Sequence, residues 1–127
     1  MWRIVVFFFA IGCHPVPNHA PTAAELTALP EEDAGRWLMA SEPGLVALSP
    51  AAAAGATAGG TAAKTAVIAV HGYASEGTEW VTPIERMSGW GTALYFYRWN
   101  WQQCPTPAAN DLSAALAGLV RDRKSVV

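Results

Sequence analysis

The chain has 127 residues, 52% of them hydrophobic and 14% charged, with a formal net charge of −2. That balance suits one core-forming domain and excludes a disordered chain. It also excludes a nucleic-acid partner, which needs clustered Lys and Arg. The one basic cluster, Arg121, Arg123 and Lys124, reads as positive charge gathered at the negative end of a helix.

Met1-Trp2-Arg3 supplies a positive start, and residues 4–11 form a continuous apolar run. Together they read as a secretory signal, and no apolar run approaches the ~20 residues of a membrane-spanning helix. Ala10-Ile11-Gly12-Cys13 resembles the bacterial lipobox, with Ala10 standing where Leu is usual. The resemblance implies cleavage before Cys13 and a lipid on that cysteine, hence an exported protein anchored at a bacterial membrane on its periplasmic or surface face. An ordinary signal cut elsewhere, or a buried apolar segment behind a misassigned start, remains the alternative. Residues 1–12 are thus expected as signal and 13–21 as a proline-rich tether. His14 and His19 have no third ligand nearby, so no metal is expected. Cys13 and Cys104 are too few for a disulfide framework, and Cys104 reads as an unreactive thiol.

Residues 22–64 are expected as a helix and strand region ending in a flexible connection. Thr22-Ala23-Ala24-Glu25 has capping-box spacing for a short helix. Pro30 suits a first helical position, followed by Glu31, Glu32 and Asp33, in a helix that carries Trp37 and Leu38 and stops before Pro43-Gly44. Residues 45–48 are a short strand. Residues 51–64, rich in Ala, Gly and Thr, read as a surface connection.

Residues 65–127 show an α/β pattern. Ala66-Val67-Ile68-Ala69-Val70 is apolar without alternation, as in a parallel strand covered on both faces. Thr82-Pro83 marks a helix start, with a short helix through Ile84 and Met87 ending near Ser88-Gly89. Residues 93–97 form the next strand. Thr106-Pro107 repeats the helix-start signal, and Leu112, Ala115, Leu116 and Leu119 share one helix face. Gly118 within it is expected to permit close packing on the sheet. Ser125-Val126-Val127 opens a further strand, so the order is strand, helix, strand, helix, incipient strand.

The feature that bears on chemistry is His71-Gly72 directly after the apolar strand. The run from Ala66 through Val70 and on to His71-Gly72-Tyr73 resembles the α/β-hydrolase family, in which the strand before the first main crossover ends in His-Gly and an oxyanion loop. The likeness extends over residues 65–127, about half the chain. A tetrahedral intermediate carries charge on the former carbonyl oxygen and needs preorganised N–H donors; one comes from this loop and the other follows the nucleophile. The resemblance therefore implies the backbone N–H of Tyr73 as a donor, with His71 and Gly72 shaping the loop and His71 structural. It implies a partial α/β-hydrolase fold that stops before the nucleophile strand is complete.

The elbow pattern G-x-S-x-G is missing. Gly72-Tyr73-Ala74-Ser75-Glu76-Gly77 has one residue too many, so Ser75 is expected to cap a turn or touch substrate at a pocket edge. Nucleophile, base and acid are all expected beyond Val127. The aromatic run from Tyr95 to Trp101, with Trp80 and Trp90, reads as strand core and packed loop, or as a binding surface for an acyl chain or a sugar. The expected function is esterase or lipase chemistry on an ester or acyl small molecule, without cofactor, in a protein of which this chain is an inactive front part. The alternatives are a non-catalytic binding lipoprotein and a truncated remnant.

Overall fold

A computed structural model describes residues 17–55, 65–122 and 125–126. Cys13, the signal-like start, His14, and residues 56–64, 123 and 124 lie outside the described residues. In chain order the elements are α1 (Ala23–Thr27), α2 (Glu31–Ala40), β1 (Gly44–Ala47), α3 (Pro50–Gly55), β2 (Thr65–Val70), α4 (Thr78–Ser88), β3 (Ala93–Arg98), α5 (Pro105–Asp122) and β4 (Ser125–Val126). The four strands pair in the order β1-β3-β2-β4. β2 is parallel to both neighbours, and β1 closes the far side antiparallel to β3. The architecture is α/β with a small mixed sheet.

Alternation along the strands divides the side chains between two faces. Val67, Ala69, Leu94 and Phe96 point to one face and pack against Leu26, Leu38, Val81 and Ile84 of α1, α2 and α4. Ala66, Ala93 and Tyr95 point to the other, against Ala52 of α3, with Ile68 and Leu119 of α5 half-buried beside them. The helices of the two crossovers, α4 and α5, therefore lie on opposite faces. Among the described residues no helix is long and apolar enough to cross a membrane.

Local chemistry explains most of the boundaries. Thr22 and Glu25 make the reciprocal capping box: the Glu25 amide donates to Thr22 Oγ1 at 3.3 Å and the Thr22 amide donates to Glu25 Oε2 at 3.0 Å. Pro30 sits one position before α2, as its cap residue. At Ser49 one hydroxyl joins two elements, accepting from Leu94 N at 2.9 Å and from Ala52 N at 3.2 Å. It thereby extends the sheet edge and caps α3.

Four expectations are corrected. Residues 51–55 are helical, not a loose connection, because Ser49-Pro50 is a cap followed by proline and alanine is the best helix former. α4 begins at Thr78, so Pro83 is inside the helix and withholds one of its hydrogen bonds. The earlier start is fixed by close backbone contact with α2: a methyl group on Gly77, whose φ is +87°, would lie 2.5 Å from Gly35 O, and one on Gly35 would lie 2.6 Å from Thr78 N. α5 begins at Pro105, not at a Thr106 cap, with Pro105 and Pro107 both in the first turn, where amides have no helical partner. Gly118 makes no close approach to the sheet, since a methyl group there would meet nothing within 4 Å.

Candidate active site

The carboxyl end of β2 is where the sequence and the topology converge. β3 lies on one side of β2 and β4 on the other, so the chain crosses from β2 to β3 and then returns past β2 to β4. In open α/β sheets such a reversal opens a crevice at the carboxyl ends of the strands, where ligands bind. The loop that leaves β2 there begins with His71.

His71 is buried, with 2% of its surface exposed. Its Nε2 accepts the Trp99 amide at 3.0 Å, and the Trp99 indole Nε1 donates to His71 O at 2.9 Å. With Nε2 an acceptor, Nδ1 carries the hydrogen and donates to Gly72 O at 2.9 Å. The ring is stacked between Phe96 and Trp99, at centroid distances of 5.7 Å and 5.6 Å. Both nitrogens are thus committed to holding the loops after β2 and β3 together. No free nitrogen is left to act as a general base.

Above this clamp the loop turns at Tyr73-Ala74. Ala74 has a φ of +54°. The left-handed conformation costs an L-residue about 1–2 kcal/mol. The left-handed residue of this loop is thus Ala74 and not Gly72. The space over Gly72 is open, since a methyl group there would meet nothing within 4 Å. Tyr73 is 77% exposed, and its ring meets Trp101 edge to face at 5.0 Å. Among the described residues the Tyr73 amide has no hydrogen-bond acceptor. A backbone donor at a strand end beside an open glycine is what an oxyanion or other acceptor oxygen needs.

Ser75 is occupied elsewhere. Its hydroxyl is bonded to the Glu79 carboxylate and accepts the Gly77 amide at 3.3 Å, so it secures the start of α4. With His71 committed to Trp99, no Ser75–His71 dyad forms. Cys104 is exposed. Among the described residues no three His, Cys, Asp or Glu side chains come together to hold a metal ion.

The loop after β3 completes the site from a distant part of the chain. Asn100 orders it, accepting from Gln102 N through its side chain at 3.1 Å and from Gln103 N through its carbonyl at 3.1 Å. Arg98 reaches back to Met39 O at 2.8 Å and to Trp99 O, tying this loop to the end of α2. Of the aromatic run, Tyr95, Phe96 and Tyr97 are core, whereas Trp99 and Trp101 are half-buried in the loop. A groove of about 850 Å³ is a different place: it lies between α2 and the start of α4, lined by Glu31, Glu32, Arg36, Glu76 and Glu79 among others. It is broad and acidic and does not include Tyr73. We therefore locate the candidate site by the strand ends and not by groove size.

No protein-family model, no curated protein and no solved structure matches this chain.

Proposed function

We propose that the chain is the front portion of a serine hydrolase of esterase or lipase type, with a partial α/β-hydrolase fold, held at a bacterial membrane through a lipid on Cys13. One observation carries the reading. β4 lies parallel and adjacent to β2, with Ala66 opposite Val126, so the strand that follows α5 runs toward the same edge as the His71 loop. A nucleophile elbow at the carboxyl end of that strand would stand one ladder spacing, about 4.8 Å, from β2. A serine there would attack an ester carbonyl. The N–H of the residue after it and the N–H of Tyr73 would then meet the oxyanion from two sides. No cofactor enters this chemistry.

The register makes the proposal specific. Val70 lies four positions beyond Ala66, so a strand continued in parallel from Val126 draws level with the end of β2 after four more residues. A G-x-S-x-G is therefore expected to begin within about five residues of Val127, on the strand-to-helix turn that the motif forms. Sequencing the gene past that codon checks this, and a fluorophosphonate probe on the extended product should label the elbow serine. The 127-residue chain itself should remain unlabelled, Ser75 included. An extended product without an elbow, or labelling at Ser75, would overturn the hydrolase reading. A non-catalytic binding lipoprotein or a remnant would then be preferred. The anchor is tested separately, by palmitate incorporation that Cys13→Ser should abolish.

A further inference from the structure

The loops after β2 and β3 are joined by two aromatic tiers of opposite character. In the lower tier His71, Phe96 and Trp99 are stacked, and His71 and Trp99 share two hydrogen bonds. That tier is enough to fix the two loops together. The upper tier, Tyr73 against Trp101, adds little to the core, since Tyr73 is 77% exposed. Yet the chain accepts a left-handed Ala74 directly after Tyr73, and orders the Trp101 turn through Asn100. Strain retained beside an exposed ring, at a strand end where ligands bind, points to function.

We propose that Tyr73 and Trp101 form a binding wall for the apolar part of an uncharged acyl compound, such as an ester with an aryl or alkyl group; this deepens, and rests on, the hydrolase reading above. The ring and the donor belong to one residue. A carbonyl oxygen received by the Tyr73 amide leaves one substituent of that carbonyl beside the Tyr73 ring and, 5.0 Å away, the Trp101 indole. Rings offer broad apolar faces at small entropic cost, and they stack on aryl groups and cover alkyl chains alike. Charge narrows the class. The same loop runs on into Glu76 and, in the first turn of α4, Glu79, which line the groove together with Glu31, Glu32 and Arg36 of α2. Anionic ligands are disfavoured on that side.

Tryptophan emission of the intact chain reads this wall directly, because Trp101 is part of it. Titration with phenyl butyrate, a neutral ester, should give a saturable change. The γ-phenylbutyrate anion, the conjugate base of an isomeric acid, should give a much weaker one. Tyr73→Ala should weaken phenyl butyrate binding by about fivefold, while Tyr73→Phe retains it; Trp101→Ala removes the reporting indole and should abolish the saturable change. Trp90→Ala removes another exposed indole, 62% accessible and away from the site, and should change nothing. Far-UV circular dichroism identifies any variant that fails to fold; should Tyr73→Ala do so, Trp101→Ala decides, since a saturable change that persists without that indole overturns the wall. Equal affinity in Tyr73→Ala and wild type, absence of saturable binding, or equal binding of ester and anion overturns the wall. The parent reading fails differently. If the ester binds and the variants weaken it, but no elbow follows β4, the wall stands as a binding site and the hydrolase reading falls. If the extended product cleaves esters with a KM that Tyr73→Ala leaves unchanged, the hydrolase stands and the wall falls.

Discussion

The two faces of the sheet are held by different means. On the α1, α2 and α4 face the contacts are aliphatic and aromatic, and Leu26, Leu38, Ile84, Leu94 and Phe96 are completely buried. On the α3 and α5 face the sheet presents alanines beside Leu45, Ile68 and Tyr95, and the helices are tied by hydroxyl groups: Tyr95 donates to Ala52 O at 3.2 Å and Tyr97 donates to Ala108 O at 2.8 Å. Here Val70 and Val120 remain 41% and 57% exposed. The first face is a packed core whose cohesion scales with apolar area. The second depends on a few directional bonds, each with a small net value. The His71 clamp belongs to the first face through Phe96, so the candidate site rests on the stronger half of the molecule.

The largest contrast should come from truncating one residue on each face. Phe96→Ala empties the centre of the packed face and should cost about 3–5 kcal/mol. Leu119→Ala, at a half-buried position on the other face, should cost about 1 kcal/mol. Urea unfolding followed by circular dichroism measures both. Similar losses from the two substitutions would break the distinction between the faces.

A second test probes how tightly the first face is closed. A methyl group on Gly35 would lie 2.6 Å from Thr78 N and 2.9 Å from its Cγ2, so Gly35→Ala must separate α2 from the start of α4. Overpacking of that kind costs about 1–3 kcal/mol, even though alanine favours a helix more than glycine does. The matched substitution Gly118→Ala on α5 meets open space and should stabilise by up to about 1 kcal/mol. The same chemical change should thus have opposite signs on the two faces.

What could be read in advance follows the same division between local and distant causes. The Thr22/Glu25 box, the non-alternating run of β2, and a further strand at Ser125-Val126 are local signals, and each marks an element of the fold. α3 was signalled too, by Ser49-Pro50, but the low complexity of the run that follows concealed it. The start of α4 was misplaced because it is set by Gly35, more than forty residues earlier, and not by Thr82-Pro83. At the candidate site His71, Gly72 and Tyr73 announce themselves after β2. Their partners Trp99 and Trp101 are 28 residues on and become neighbours only once β3 pairs with β2. A local pattern cannot state that pairing.

The smallest expected effect concerns Tyr97, which pins α5 to the weaker face. Burial raises its phenol pKa first, and the Asp111 carboxylate adds to the rise, so the folded state favours the neutral hydroxyl that donates to Ala108 O. In the unfolded chain the phenol ionises near its ordinary value of about 10. The stabilisation is therefore complete below that pH and is lost as pH rises toward the folded value. Tyr97→Phe should cost about 1 kcal/mol near neutral pH, since it removes one hydrogen bond and leaves the ring packing in place. Its stability should converge on that of the wild type above about pH 10, where the wild-type hydroxyl itself becomes a liability. Paired urea midpoints at about pH 8 and about pH 10.5 would show this as a shrinking difference, with the other tyrosines cancelling between the two proteins. A difference near zero at both pH values would mean that ring packing, and not the hydroxyl, holds α5, and the two faces would then be alike in kind.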